Sequence, residues 1–349
     1  MNIRGVNYDV GTDMGIKWRP DYDPQVVDRE LEIIERDLHC NAVGISGKDI
    51  RRVVVTAEAA LRHGLDAWLS PGVFDRPPQP TLAYITEAAR AAQPLHERHP
   101  GRVVFSVGSE FTLFLRGILP GKTLVQRSRT VLKTDVIKTG GHNQPLNDFL
   151  SKAVAEVRKV FSGPIMYRSL VWEHVDWSRF DIIGVDHYWA EKIADQYLDI
   201  VKPLFTHDKP VVNTGFGFKT TTAPVTGMLS TLGDDPGLYV SMLLHQKAVI
   251  GRLFRPRLKV INERDEALQA ERLVNNLRLL DEAGFHGAFM DTFILPFHPY
   301  SDTPKYDLDR ENSSLVRYFE RGRQGTTYPD MTWEPKEAFR AVARYYSST

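Results

Sequence analysis

The chain has 349 residues, 42% hydrophobic, 10% aromatic and 25% charged, a composition that excludes disordered, collagen-like and disulfide-stapled proteins. Lysine plus arginine and aspartate plus glutamate each total 44, so no net charge draws the chain toward nucleic acid or anionic lipid. One cysteine, Cys40, excludes an internal disulfide and a cysteine-based zinc site, and no apolar run approaches the roughly 18 residues of a membrane span.

The first residues run straight into Arg4-Gly5-Val6-Asn7-Tyr8 with no charged-then-apolar leader, so a cytoplasmic location is expected. Ile3–Val10 reads as a strand, and Asp23-Pro24, an N-cap with proline at the first helical position, opens a helix to Leu38. A strand at Asn41–Ser46 is followed by a helix at Asp49–His63 that Gly64 stops. Leu65–Leu69 and Arg102–Val107 are strands three and four, separated by a helix over Thr81–Arg98. A helix at Asn147–Phe161 then leads to strands at Pro164–Leu170 and Phe180–Val185. Next come a helix at Ile193–Thr206, a strand at Pro210–Thr214, a helix at Arg264–Ala283 and an eighth strand at His286–Phe293. Eight alternations predict an α/β fold, a single-domain (β/α)8 barrel over residues 1–349. The rival doubly wound sheet wants a glycine-rich first turn, whereas Asp9–Met14 contains only Gly11. Asn312–Thr349, with a last helix starting at Glu334-Pro335, is expected to close the bottom or side.

Two connections are long, Leu115–Asn143 after strand four and Phe218–Asn262 after strand seven, and both follow strand ends where barrel enzymes keep their sites. The second carries Met228, Leu229, Leu232, Leu238, Tyr239 and Met242, so residues 218–262 are expected to form a lid insertion; a helix on the barrel's outside is the rival.

Strand ends supply the candidate chemistry. Val107-Gly108-Ser109-Glu110 puts a carboxylate at the mouth. Asp186-His187-Tyr188-Trp189 clusters polar and aromatic groups after strand six, but alternation sends Asp186 and Tyr188 one way and His187 the other. Asp291, set among Ala288, Phe289, Met290 and Phe293, is either buried and paired or an acid with a raised pKa. Asn7, Tyr8 and Asp9 are further mouth candidates on strand one. The segment Gly117–Thr123 imitates a phosphate loop but has three residues between its glycines where four are required, and no metal motif is present.

The ordered fragments Arg4–Tyr8, Val107–Glu110, Asp186–Tyr188 and Lys209-Pro210-Val211-Val212-Asn213-Thr214-Gly215-Phe216-Gly217 resemble a retaining glycoside hydrolase barrel. More closely, the chain resembles actinobacterial proteins of that type often labelled abortive-infection or glycosidase-like. The resemblance implies that Glu110 is the acid/base. It also implies that Gly215 stands where the family has its nucleophilic glutamate, and Gly44 where an arginine supports it. An engineered glycine at 215 is the alternative to a natural one.

Retaining hydrolysis requires two carboxyl groups about 5–5.5 Å apart, and glycine cannot attack. The loss is expected to open volume and lower polarity at the pocket floor, leaving a mostly apolar cavity. The expected ligand contacts are Tyr8, Tyr188, Trp189, Gly215, Phe216, Phe218, Met290 and Phe293. The reading that follows is a repurposed barrel enzyme without cofactor or metal, acting on a small, partly apolar, oxygenated metabolite. Cyclisation, dehydration, elimination or isomerisation would proceed with Glu110 moving the proton and Asp186, His187 or Asp291 as its partner. A glycosidase using a displaced carboxylate and a non-catalytic ligand receptor are the alternatives. A glutamate restored at 215 is expected to lack a cationic partner.

Overall fold

The computed structural model describes residues 1–226, 236–247, 255–320 and 322–348. Eight parallel strands close on themselves in sequence order: β1 (Ile3–Asp9), β2 (Ala42–Gly47), β3 (Asp66–Pro71), β4 (Val103–Ser109), β5 (Ile165–Leu170), β6 (Ile182–Asp186), β7 (Val211–Phe216) and β8 (Gly287–Met290). The expected (β/α)8 barrel is the observed fold. Helices α1 (Pro24–Arg36), α2 (Ile50–Arg62) and α3 (Pro78–Arg98) cover the first strands, and their starts follow local chemistry. Asp23 accepts from the Gln25 amide, and Asp49 from the Arg51 and Arg52 amides, satisfying donors that a helix cannot pair itself.

Strand alternation sorts the side chains into two cores. Outward residues such as Val6, Val43, Ile45, Leu69, Phe105 and Val185 pack under the helices. Inside, Trp68 and Phe289 fill the barrel with ring centroids 4.9 Å apart, alongside Ala42, Val104, Met166 and Val212. Gly5 makes room for them, since a Cβ there would fall 2.3 Å from the Phe289 ring. This apolar plug is the base on which the upper, polar layer of inward side chains rests.

Four expectations are corrected. The predicted helix at Ile193–Thr206 is two short 3-10 segments, Glu191–Gln196 and Lys202–His207. The connection after β4 is largely helical, with segments at Phe111–Phe114, Leu124–Lys133 and Val136–Thr139. Strand eight ends at Met290 rather than Phe293. The last helix is Glu337–Ser347, because Trp333–Pro335 pairs antiparallel with Val316–Tyr318 instead of starting it. That helix lies along the side of the barrel, where Phe339 and Trp333 pack on Phe293.

The expected lid insertion falls partly outside the described residues. Within them, the helix Pro236–Lys247 sets Leu238 and Met242 into a small apolar cluster with Ile16, Leu258 and Leu308. Gln246 clasps the backbone of Lys17, accepting from its amide at 2.8 Å and donating to its carbonyl at 2.9 Å. Among the described residues no helix is long and apolar enough to cross a membrane.

Candidate active site

A cavity of about 380 Å³ opens at the C-terminal ends of the strands. Its floor is polar, formed by Asn7, Asp9, Ser46, Ser70, Glu110, Arg168, Tyr188 and Asp291. Above them, Val73, Phe74, Phe114 and Leu124 make one wall, and Ile16, Trp18, Leu238, Met242 and Phe297 make another.

Glu110 is placed by an irregular strand end. The β4–β5 register shifts between Ser106 and Ser109, and the Ser106 hydroxyl donates to the Gly108 carbonyl at 2.7 Å. Gly108 takes φ +152°, where a Cβ would fall 2.0 Å from the Phe111 ring. Glu110 itself is left-handed, φ 48° and ψ 43°, a conformation costing a non-glycine residue about 1–3 kcal/mol. The neighbouring amides hold it there. The Glu110 amide donates to the Arg168 carbonyl at 2.9 Å, and the Phe111 amide donates to the Tyr167 hydroxyl at 2.7 Å. Thr112 donates its amide to Glu173 Oε1 at 2.9 Å, and the Tyr167 hydroxyl donates to Glu173 Oε2 at 3.0 Å.

Beneath Glu110 lies Asp186, whose Oδ1 accepts from Arg168 Nη2 at 3.1 Å and from the Thr214 hydroxyl at 2.7 Å. Glu110 Oε2 and Asp186 Oδ2 are both buried with no separate donor. Burial pushes the Glu110 carboxyl well above its usual range, and the like charge of Asp186 and a hydrogen bond between the two carboxyls push the same way. Arg168 opposes this shift and does not overcome it. The Glu110 carboxyl therefore holds its proton more tightly than an ordinary glutamate does.

Asp291 sits across the floor. Its Oδ2 accepts from the Tyr188 hydroxyl at 2.5 Å and its Oδ1 from Asn7 Nδ2 at 3.2 Å. Burial raises its pKa, while Arg168 and the Tyr188 hydrogen bond pull it back. Arg168 remains charged, since the field of Asp186 and Asp291 outweighs its burial.

The candidate residues divide between the two faces of the strands. Glu110, Tyr188, Trp189, Phe218 and Asp291 line the cavity, with Asp186 directly beneath. Asp186 apart, six expected contacts or partners do not reach it, and Gly215 is one of them, buried behind the cavity lining. His187 points outward, stacks on Tyr197 at 4.1 Å between ring centroids and bonds the Tyr197 carbonyl through Nε2 at 2.7 Å. Burial lowers its pKa to about 4, so it is neutral. Tyr8 also points outward and donates to Glu30. Met290 packs in the outer core for the same reason of parity, whereas Phe293, of the same parity as Asp291, lies beyond the end of β8 and packs there on Trp333 and Phe339. Phe216 joins them because a register shift between Asn213 and Phe216 in β7 turns it away from the cavity that Phe218 lines.

Position 215 corrects two further expectations. A Cβ on Gly215 would lie 2.9 Å from Asp186 Oδ1, 3.1 Å from Arg168 Nη2 and 3.3 Å from the Tyr188 hydroxyl. The space beside the glycine is therefore filled by a charged network, not opened as apolar volume. A glutamate restored there would meet a guanidinium, Arg168, without any arginine at position 44. Gly44 has no room for one, because its Cβ would fall 2.2 Å from Asn7 Oδ1. Arg168 itself was missed by the sequence reading. Its signal is a lone cation in Ile165–Leu170, two residues beyond inward-facing Met166.

No group of three or more His, Cys, Asp or Glu side chains among the described residues is arranged to hold a metal. No protein-family model matches the sequence, and no curated protein matches it. Solved structures do. A GH113 β-1,4-mannanase is 15% identical over the whole of both chains, with a TM-score of 0.58. A GH113 β-mannanase from Alicyclobacillus acidocaldarius is 16% identical over 99% of this chain and 97% of its own, with a TM-score of 0.56. β-Glucuronidase 2 of Bacteroides uniformis is 14% identical over 98% of this chain and 34% of its own, with a TM-score of 0.55. The class these likenesses define is a glycoside-hydrolase-like (β/α)8 barrel fold.

Proposed function

We propose that this barrel is an acid/base enzyme that works without a covalent glycosyl intermediate, on a small, partly apolar, oxygenated compound. The observation that carries the reading is the buried, incompletely partnered Glu110 on the cavity floor, its carboxyl raised well above the ordinary range, with a glycine at position 215 that offers no nucleophile. Asp186 is closed off beneath Arg168 and Thr214 and holds the proton on Glu110 rather than attacking substrate. Asp291 faces the cavity and is the base. In a dehydration, Glu110 protonates the departing hydroxyl as its C–O bond breaks, and Asp291 takes the proton from the adjacent carbon. In an isomerisation, the same two groups add and remove protons at different atoms. The apolar walls exclude water and keep the pKa of Glu110 high.

The test is incubation with a panel of aryl glycosides and, separately, with fractionated metabolite extracts. The expected result is no glycoside turnover, and one extract component converted by the native protein but returned unchanged by Glu110→Gln. Aryl glycoside hydrolysis that Glu110→Gln abolishes would instead establish a hydrolase with a displaced carboxylate. A component bound but never converted would establish a receptor.

A further inference from the structure

Arg168 has three guanidinium nitrogens to account for. Nε and Nη2 both donate to Asp186 Oδ1, at 3.3 and 3.1 Å, and Nη2 also donates to the Thr214 carbonyl at 2.9 Å. Nη1 has no partner among the described residues and is not among the buried unpartnered atoms, while Arg168 lines the cavity with 13% of its side chain exposed. A fixed cationic donor thus opens into the cavity floor that Glu110 also lines. Its orientation is locked by the bonds to Asp186 and Thr214, so little freedom is lost when it takes a ligand atom.

The surrounding charge decides what that atom is. The field of two carboxylates, Asp186 and Asp291, acts on this guanidinium. A ligand anion there would meet both, whereas a neutral oxygen acceptor takes the donor without that repulsion. We propose that Arg168 Nη1 binds a neutral carbonyl oxygen of the ligand, and that the ligand is an oxo compound rather than an acid. Resting on the proposed acid/base function, this places a polarised carbonyl within the site that holds Glu110 and Asp291. The apolar and aromatic walls, Phe74, Phe114, Trp18 and Phe297, take the hydrocarbon part.

Three probes that share one ring system and differ only at the oxygen function test this: 2-acetylnaphthalene, 2-ethylnaphthalene and 2-naphthoate, titrated by calorimetry against the full chain. The expected order has 2-acetylnaphthalene binding about tenfold more tightly than either of the others, as a hydrogen bond from a charged donor gives. Arg168→Met should erase that preference and leave 2-ethylnaphthalene binding unchanged. Because this variant strands Asp186 without its cation, Arg168→Met combined with Asp186→Asn supplies a neutral floor and the same expectation. Glu110→Gln should keep the preference, which separates this proposal from the acid/base reading. Tightest binding of 2-naphthoate, equal binding of the acetyl and ethyl probes, no binding of any probe, or a preference that survives loss of Arg168 would each overturn it.

Discussion

Glu30 and Glu110 are both buried carboxyl groups reached from β1–β4, and they are used in opposite ways. Glu30, on α1, lies outside the barrel with both oxygens occupied: Trp333 Nε1 donates to Oε1 at 2.9 Å, and Tyr8 and Arg19 donate to Oε2, the latter at 2.7 Å. Glu110, inside the mouth, has an oxygen with no separate donor, a like-charged neighbour and a strained backbone. Burial alone therefore does not mark a functional carboxylate. Incomplete partnering at the edge of a cavity does, because a satisfied group gains nothing from a ligand.

The comparison predicts stability effects that fall as one moves from the outer cluster to the inner one. Glu30→Ala leaves Arg19 as an uncompensated buried charge and strands Tyr8 and Trp333, so chemical denaturation should show a loss of about 3–5 kcal/mol. An effect under 1 kcal/mol would mean that the outer cluster is as loosely satisfied as the inner one.

Next is Glu173, behind the active-site turn, whose carboxyl is pushed up to about 7 by burial. A raised carboxyl favours the folded state below its ordinary pKa and loses that advantage as pH rises through the folded value. The native protein should therefore lose on the order of 3 kcal/mol from this group between about pH 4.5 and 7. Denaturation curves of Glu173→Gln across that window should lack this component of the slope; an unchanged slope would show that Glu173 is ionised in the native state.

Gly215→Ala inserts a methyl into the contacts of Asp186, Arg168 and Tyr188 and should cost about 1–3 kcal/mol, as overpacking does. A neutral or stabilising result would mean that the space beside Gly215 is open after all. His187→Gln should cost about 1 kcal/mol through its bond to the Tyr197 carbonyl and leave the pH dependence of any reaction unchanged, since the imidazole lies on the outer face.

These contrasts also locate what was legible in the sequence. Strand count, glycine stops and Asp caps carry the barrel, because those signals act within a few residues. Parity places Asp186 and Tyr188 together and opposes His187, again a local rule. The floor was not legible. Losing a carboxylate at 215 and an arginine at 44 reads as losing charge, yet the arginine of this site comes from β5, and only the pairing of β6 with both β5 and β7 brings it to position 215. Phe216 and Phe218 share a parity in sequence and separate in space, because the irregularity in β7 turns Phe216 outward and the strand ends there, so alternation does not carry on to Phe218. Tyr8 was misplaced for a third reason: its partner Glu30 is on α1, and Trp333, which shares that carboxylate, is some three hundred residues away in sequence.

The smallest expected stability effect belongs to Glu110→Gln, within about 1 kcal/mol, because the change keeps the shape and removes a carboxyl held beside a like charge. That variant is the reference for the measurement that tests the central claim, the protonation of Glu110 itself. With 13C-labelled glutamate, the side-chain carboxyl signal present in the native protein and missing from Glu110→Gln is followed from pH 3 to 9. The account predicts that this carbon keeps the shift of a protonated acid well past the ordinary glutamate range and titrates above it. A carboxyl that ionises near its ordinary value of 4.5 would contradict the account, since Glu110 would then have no proton to give at neutral pH.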